Sequence, residues 1–254
     1  MNRPNHYEPC FASVPEGAIG RWELLRKFIH RWHGVSLSPT GTSASLVERE
    51  QAKLVVTLPQ SFREYIAFAD QLIAQDAFGI LRDAYAVTRL EEHKATSLML
   101  QCEGDVYWGV TDANLVNDDP AVEMYHLDFE SDATERFVHG GTESPSITSF
   151  VFGHMAHYLN GAGGGCLVGV KVTDKFQSEM HAAFSAGSLL GDIQIFEKQD
   201  LIVLLVPDAY EPGEHHMFVE VFRPMPLSAI PECVLEHTNN GGAFHGMFAN
   251  RLRY

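Results

Sequence analysis

Ser97-Leu98-Met99-Leu100-Gln101-Cys102-Glu103-Gly104-Asp105-Val106-Tyr107-Trp108-Gly109-Val110 is the stretch on which the fold turns. Two short runs rich in strand-forming apolar residues flank Glu103-Gly104-Asp105, and a three-residue connection containing glycine predicts a β-hairpin. Successive strand residues point to opposite faces, so Trp108 is assigned to the core and Tyr107 to the other side. Downstream, Asp118-Asp119-Pro120 reads as a turn into a third strand, Ala121 to Tyr125. Aspartate bonds its own backbone in turns, and proline fixes φ at the entry to the strand.

Upstream of the hairpin the apolar period is helical. Ile19, Trp22, Leu25, Ile29 and Trp32 recur at spacings of three and four, and Gly34 is a natural stop. Ser36 to Ser45 reads as a loop and Leu46 to Val55 as a second helix. Pro59 opens a third helix, with Phe62, Tyr65, Ile66, Ala69 and Ile73 on one face. After the third strand, Ser146 is placed to cap a helix carrying Ile147, Phe150, Val151, Met155 and Tyr158. The glycine-rich run Asn160 to Gly165 is read as a boundary. Beyond it come a strand (Cys166 to Val172) and a helix near Phe176 to Phe184. A hairpin then pairs Asp192–Phe196 with Leu201–Val206 across Glu197-Lys198-Gln199-Asp200, and Met217 to Phe222 forms another strand. Met1 to Pro15 reads as an irregular lead-in, and Thr238 to Tyr254 as a loosely ordered tail.

These pieces define an α+β fold, with helices packed against one face of a mostly antiparallel sheet. The expected division is 1–160 as the main domain and 161–254 as a C-terminal, strand-rich extension, adding strands to that sheet or forming a small appendage. Part of this order resembles the SMI1/KNR4 (SUKH) superfamily. Glu48-Arg49-Glu50-Gln51-Ala52-Lys53-Leu54, followed by Leu58-Pro59-Gln60-Ser61-Phe62-Arg63-Glu64-Tyr65, is similar to that family's amino-terminal helices. Val106-Tyr107-Trp108-Gly109-Val110 resembles its central strands, and Asp118-Asp119-Pro120-Ala121-Val122 its Asp-Pro-x-Val element. The resemblance covers Ile19 to Leu159 and implies a non-catalytic protein-binding domain. It points to a bacterial immunity protein that neutralises a toxin, with a scaffold or regulatory role as the alternative.

Charge narrows the partner class. Of the 254 residues, 18 are Lys or Arg and 33 are Asp or Glu, a formal net charge of −15. Between Ala95 and Val170 lie eleven carboxylates and a single basic residue, Arg136, so that interval alone carries −10. Such a balance excludes a general phosphate-backbone binder, because those proteins present Lys/Arg patches. It suits a basic protein partner steered by a negative field. The residues assigned to this contact are Asp118, Asp119, Glu123, Asp128, Glu130 and Asp132, offering carboxylates to the partner's Lys and Arg.

Other chemistries find no pattern. Gly-x-Ser-x-Gly is absent, and His139-Gly140-Gly141 reads as a flexible turn ahead of the Ser146 helix rather than an oxyanion loop. Gly161 to Gly165 lacks the Lys-Ser/Thr of a P-loop. His154 and His157 are spaced i, i+3 without the glutamate of His-Glu-x-x-His, and adjacent His215 and His216 point to opposite faces of a strand. No catalytic residue, metal or cofactor is therefore expected. Cys10, Cys102, Cys166 and Cys233 are scattered and read as reduced thiols. With no apolar leader and no apolar run near ~20 residues, a soluble, cytoplasmic protein is expected.

Overall fold

The computed structural model describes residues 9–38, 44–75, 85–101, 104–128, 137–161, 165–184, 187–208, 213–221 and 225–238. The chain divides into two compact units. One is Pro15–Phe152, and the other combines Met1–Val14 with Gly153–Tyr254. The fold class is the expected one, helices with antiparallel sheets, but there are two sheets rather than one.

In the first unit, α1 (Ala18–His33), α2 (Ala44–Leu54) and α3 (Gln60–Ala74) precede an antiparallel meander. Its strands β1 (Arg89–Leu90), β2 (Ala95–Leu100), β3 (Val106–Thr111), β4 (Val122–Leu127) and β5 (Phe137–Ser144) are hydrogen-bonded in sequence order. Helix α1 ends where Gly34 enters the left-handed region, φ 71°, and its N–H bonds the His30 carbonyl at 3.0 Å. Only glycine takes that conformation without a Cβ penalty. Trp108 and Met124 are paired across β3 and β4 and share a face, and Trp108 packs on Phe150 of α4 (Ile147–Gly161) with ring centroids 5.9 Å apart. Helix α1 joins this core through Trp22 against Phe68 and Phe28 against Phe152, both with centroids 5.2 Å apart. Helix α3 is tied to β2 by the Tyr65 hydroxyl, which donates to the Leu98 carbonyl at 2.9 Å.

The hairpin is present, with Leu100 paired to Tyr107 and the Gln101 N–H bonded to the Val106 carbonyl at 2.8 Å; Gly104 takes φ 82° in the connection, of which Cys102 and Glu103 lie outside the described residues. His139-Gly140-Gly141 is not a turn, because these residues lie inside β5. A Cβ on Gly140 would come within 2.7 Å of the Met124 methyl, so the glycine serves close strand packing rather than reversal. Ser146 caps α4 as expected, its Oγ accepting from the Ser149 N–H at 3.1 Å.

The second unit is a sheet of its own, which overturns the expectation that 161–254 adds strands to the first. Strands β6 (Gly165–Lys171), β7 (Gly187–Leu190), β8 (Ile193–Lys198), β9 (Leu201–Pro207) and β10 (Glu214–Val221) are ordered β6-β10-β9-β8-β7, every neighbouring pair antiparallel. Helix α5 (Asp174–Ala183) links β6 to β7, and α6 (Glu232–His237) follows β10. Phe176, Met180, Phe196, Val203, Met217 and Val234 are among the residues of the core these helices close. The other face is also covered: a Cβ added to Gly153 of α4 would lie 3.2 Å from Ile193 Cδ1, and Phe11 donates its N–H to Glu197 at 3.0 Å. Burial on both faces explains why β9 reads Leu-Ile-Val-Leu-Leu without alternation. It also explains why the strands need helices of their own instead of a free edge elsewhere. The division consequently falls inside α4, at Phe152/Gly153, rather than at the glycine run.

Candidate functional site: the Asp118–Asp119 turn

The loop from β3 to β4 winds tightly after Thr111, whose carbonyl accepts from the N–H groups of Asn114 (3.0 Å) and Leu115 (3.2 Å). Its end is pinned to three helices. The Asp118 carbonyl accepts from the Ser61 N–H, an orphan donor in the first turn of α3, at 2.9 Å. The Asp119 carboxylate accepts from Arg21 Nη2 of α1 at 2.6 Å, from the Thr148 N–H of α4 at 3.2 Å and from the Thr148 hydroxyl at 2.5 Å. A carboxylate at a helix N-terminus satisfies donors and complements the dipole. Pro120 is buried behind it.

The six residues assigned to partner contact therefore divide. Asp118 is exposed, beside exposed Asn117 and a Val116 that is 84% exposed. Asp119 keeps only 5% of its side chain exposed and is consumed by Arg21 and α4. Glu123 is buried, its Oε2 3.1 Å from His139 Nε2. These two do not face outward, which corrects the reading of the tract as one open acidic surface. Asp128, the residue after β4, is half-buried and engaged in an interaction of its own. Glu130 and Asp132 lie outside the described residues. A further tract carboxylate, Asp112, is held bidentately by Arg89, at 2.5 and 2.6 Å. The hydrogen bond from Arg89 holds the Asp112 carboxyl below its usual range. Sequence reasoning missed Arg21 and Arg89 because both lie outside the tract they neutralise. Val116 left a signal, an apolar residue directly ahead of Asn117-Asp118-Asp119.

A second cluster sits on the sheet face away from α4. Tyr125 pairs with Tyr107 and His139 in register, and its ring lies 4.8 Å from His93 and 5.5 Å from His139. Burial and then the Glu123 charge push its hydroxyl up to about 12. Glu123 orients His139, whose side chain is 53% exposed. An imidazole whose Nε2 is held by a buried carboxylate keeps its Nδ1 for a hydrogen bond to a bound group.

Among the described residues, no three His, Cys, Asp or Glu side chains come together as a metal site. His216 instead lies 3.1 Å from Asp208. Among the same residues, no helix is long and apolar enough to cross a membrane. No protein-family model, curated protein or solved structure matches the chain.

Proposed function

We propose that this chain is a non-enzymatic, cytoplasmic protein-binding domain of SMI1/KNR4 type, an immunity protein that neutralises a basic toxin by direct contact. The observation that carries the reading is the display of Asp118. It stands exposed beside Val116 on a loop whose backbone and neighbouring carboxylate are fastened to α1, α3 and α4. An anchor ordered before binding loses little entropy on association. An aspartate next to an apolar side chain also offers a basic surface both a charge and a dry contact. The overall −15 charge adds steering. The contact set accordingly centres on Asp118 and Val116 rather than on Asp119 or Glu123.

The alternative, a scaffold whose acidic residues only keep it in solution, draws on the internal pairing of Asp112 and Asp119. A binding assay against basic toxin domains separates the two. As an immunity protein it binds stably, association slows with added salt, and Asp118→Lys slows it by roughly tenfold. An association rate indifferent to both salt and Asp118→Lys would leave the scaffold as the surviving reading.

A further inference from the structure

The N-terminal segment lies on the second sheet over a carboxylate that it only half satisfies. Phe11 is 1% exposed and its N–H reaches Glu197 Oε2 at 3.0 Å, while Ala12 and Ser13 beside it are exposed. Glu197 is itself 1% exposed, and its Oε1 is buried with no hydrogen-bond partner. Taking a carboxylate out of water with one oxygen unmet is costly, and a native fold that leaves such an acceptor bare needs a reason. Among the described residues no basic side chain pairs with Glu197. Its neighbour Lys198 gives its ammonium to the Ala183 carbonyl at 3.2 Å. The covering segment has no cation to offer, since residues 4–20 contain no Lys or Arg. The register adds a second carboxylate to the same face: Glu197 pairs with Ile202, and Ile202 with Glu220. Residues paired across neighbouring strands project to one side.

The site therefore suits two groups together, an aromatic side chain in the place Phe11 fills and a cationic donor for Glu197 Oε1. The segment now present supplies the first alone. A guanidinium best meets a desolvated carboxylate, because its fork of N–H donors bonds the oxygens and neutralises their charge at once. An arginine next to an aromatic residue combines both requirements. We propose that residues 9–14 are a displaceable strap, and that the site beneath them binds a segment of a partner protein presenting an arginine beside an aromatic residue. The strap competes for the aromatic place, so the apparent affinity of the protein is reduced by the fraction of molecules in which it is lifted. The site belongs to the unit without Asp118, so it stands independently of the immunity reading.

Cys10 lies within the strap and is half-buried, so its alkylation reports lifting. The probe is the peptide acetyl-Gly-Arg-Phe-Gly-amide, with glutamine in place of arginine as the control. Binding of the arginine peptide to the full wild-type chain is expected to speed Cys10 alkylation, resolved by mass spectrometry, about threefold. Phe11→Ala vacates the aromatic place and is expected to bind that peptide at least about tenfold more tightly than the wild type. The preference for the arginine peptide over its control is expected to be about tenfold and to vanish in Glu197→Gln. Failure of Phe11→Ala to bind the arginine peptide overturns the proposal, as does equal affinity for the two peptides. A preference that survives Glu197→Gln also overturns it and assigns Oε1 to an internal water. So does peptide binding to the wild type that leaves the Cys10 rate unchanged, because the strap then stays in place. Where Phe11→Ala does not fold, Phe11→Leu takes its place, its folding checked by thermal melting.

Discussion

Adjacent aspartates with opposite fates separate structural from displayed charge. Asp119 satisfies Arg21 and the start of α4 from a nearly closed position, whereas the Asp118 carboxylate faces water. Asp119→Ala strands the Arg21 guanidinium and two Thr148 donors, and is expected to cost roughly 2–4 kcal/mol in urea unfolding. Asp118→Ala is expected to stay within about 0.5 kcal/mol. That contrast was not readable in advance. Both residues begin the same Asp-Asp-Pro turn, and only Arg21, 98 residues away, and Thr148 tell them apart. Tyr125 makes a residue-scale claim about pH. Its hydroxyl is raised from 10.0 to about 12, so the folded state favours the neutral phenol. Its contribution to stability is complete below the ordinary tyrosine range and is lost as pH rises through about 12. Absorbance titration is expected to lose one tyrosine's share of the high-pH transition in Tyr125→Phe, whose stability falls less steeply in alkali.

At the scale of elements, the sequence was most legible where a local physical signal and the tertiary demand agreed. Gly34 ends α1, Ser146 starts α4, and the glycine-bearing connection makes the β2–β3 hairpin, because each is settled within a few residues. Strand β5 escaped notice because it is an edge strand with two glycines, largely open to solvent, whose pairing with β4 slips twice. Strand β7 has four residues and no alternation to read. The β8–β9 turn is tighter than expected: Glu197 and Lys198 remain in the strand, and Gln199 takes φ 48°. Helix α2 shows an element ended against its own chemistry. Val55, 89% exposed, follows Leu54 at φ 57°, a conformation that a β-branched residue adopts only under strain. Val55→Gly is expected to stabilise the protein by about 1 kcal/mol, seen as a higher midpoint in thermal unfolding. A lower midpoint would mean that the exposed valine makes contacts that outweigh its backbone strain.

For the whole molecule, the acid excess and the division of the chain matter most. The −15 charge was legible by counting, but its arrangement was not, since arginines from α1 and β1 reach into the acidic interval. The division was hidden because it falls within one continuous helix and joins the two ends of the sequence. Cys10 to Val14 belong to the same unit as β6–β10, and Phe11 is 1% exposed there. Its N–H occupies one oxygen of Glu197, itself 1% exposed, so the segment closes a buried carboxylate as well as an apolar site. A stretch read as an irregular lead-in thus completes a core whose remaining residues begin only at Gly153. Phe11→Ala is expected to remove about 3–4 kcal/mol from that unit alone, the usual cost of emptying a phenylalanine site. Hydrogen exchange places the effect: protection falls in β8 and β9, whose residues surround Glu197, while β2 to β4 exchange as in the wild type. Uniform loss across both sheets would instead mean that the two units unfold as a single cooperative body, and the boundary inside α4 would then be geometric without being energetic.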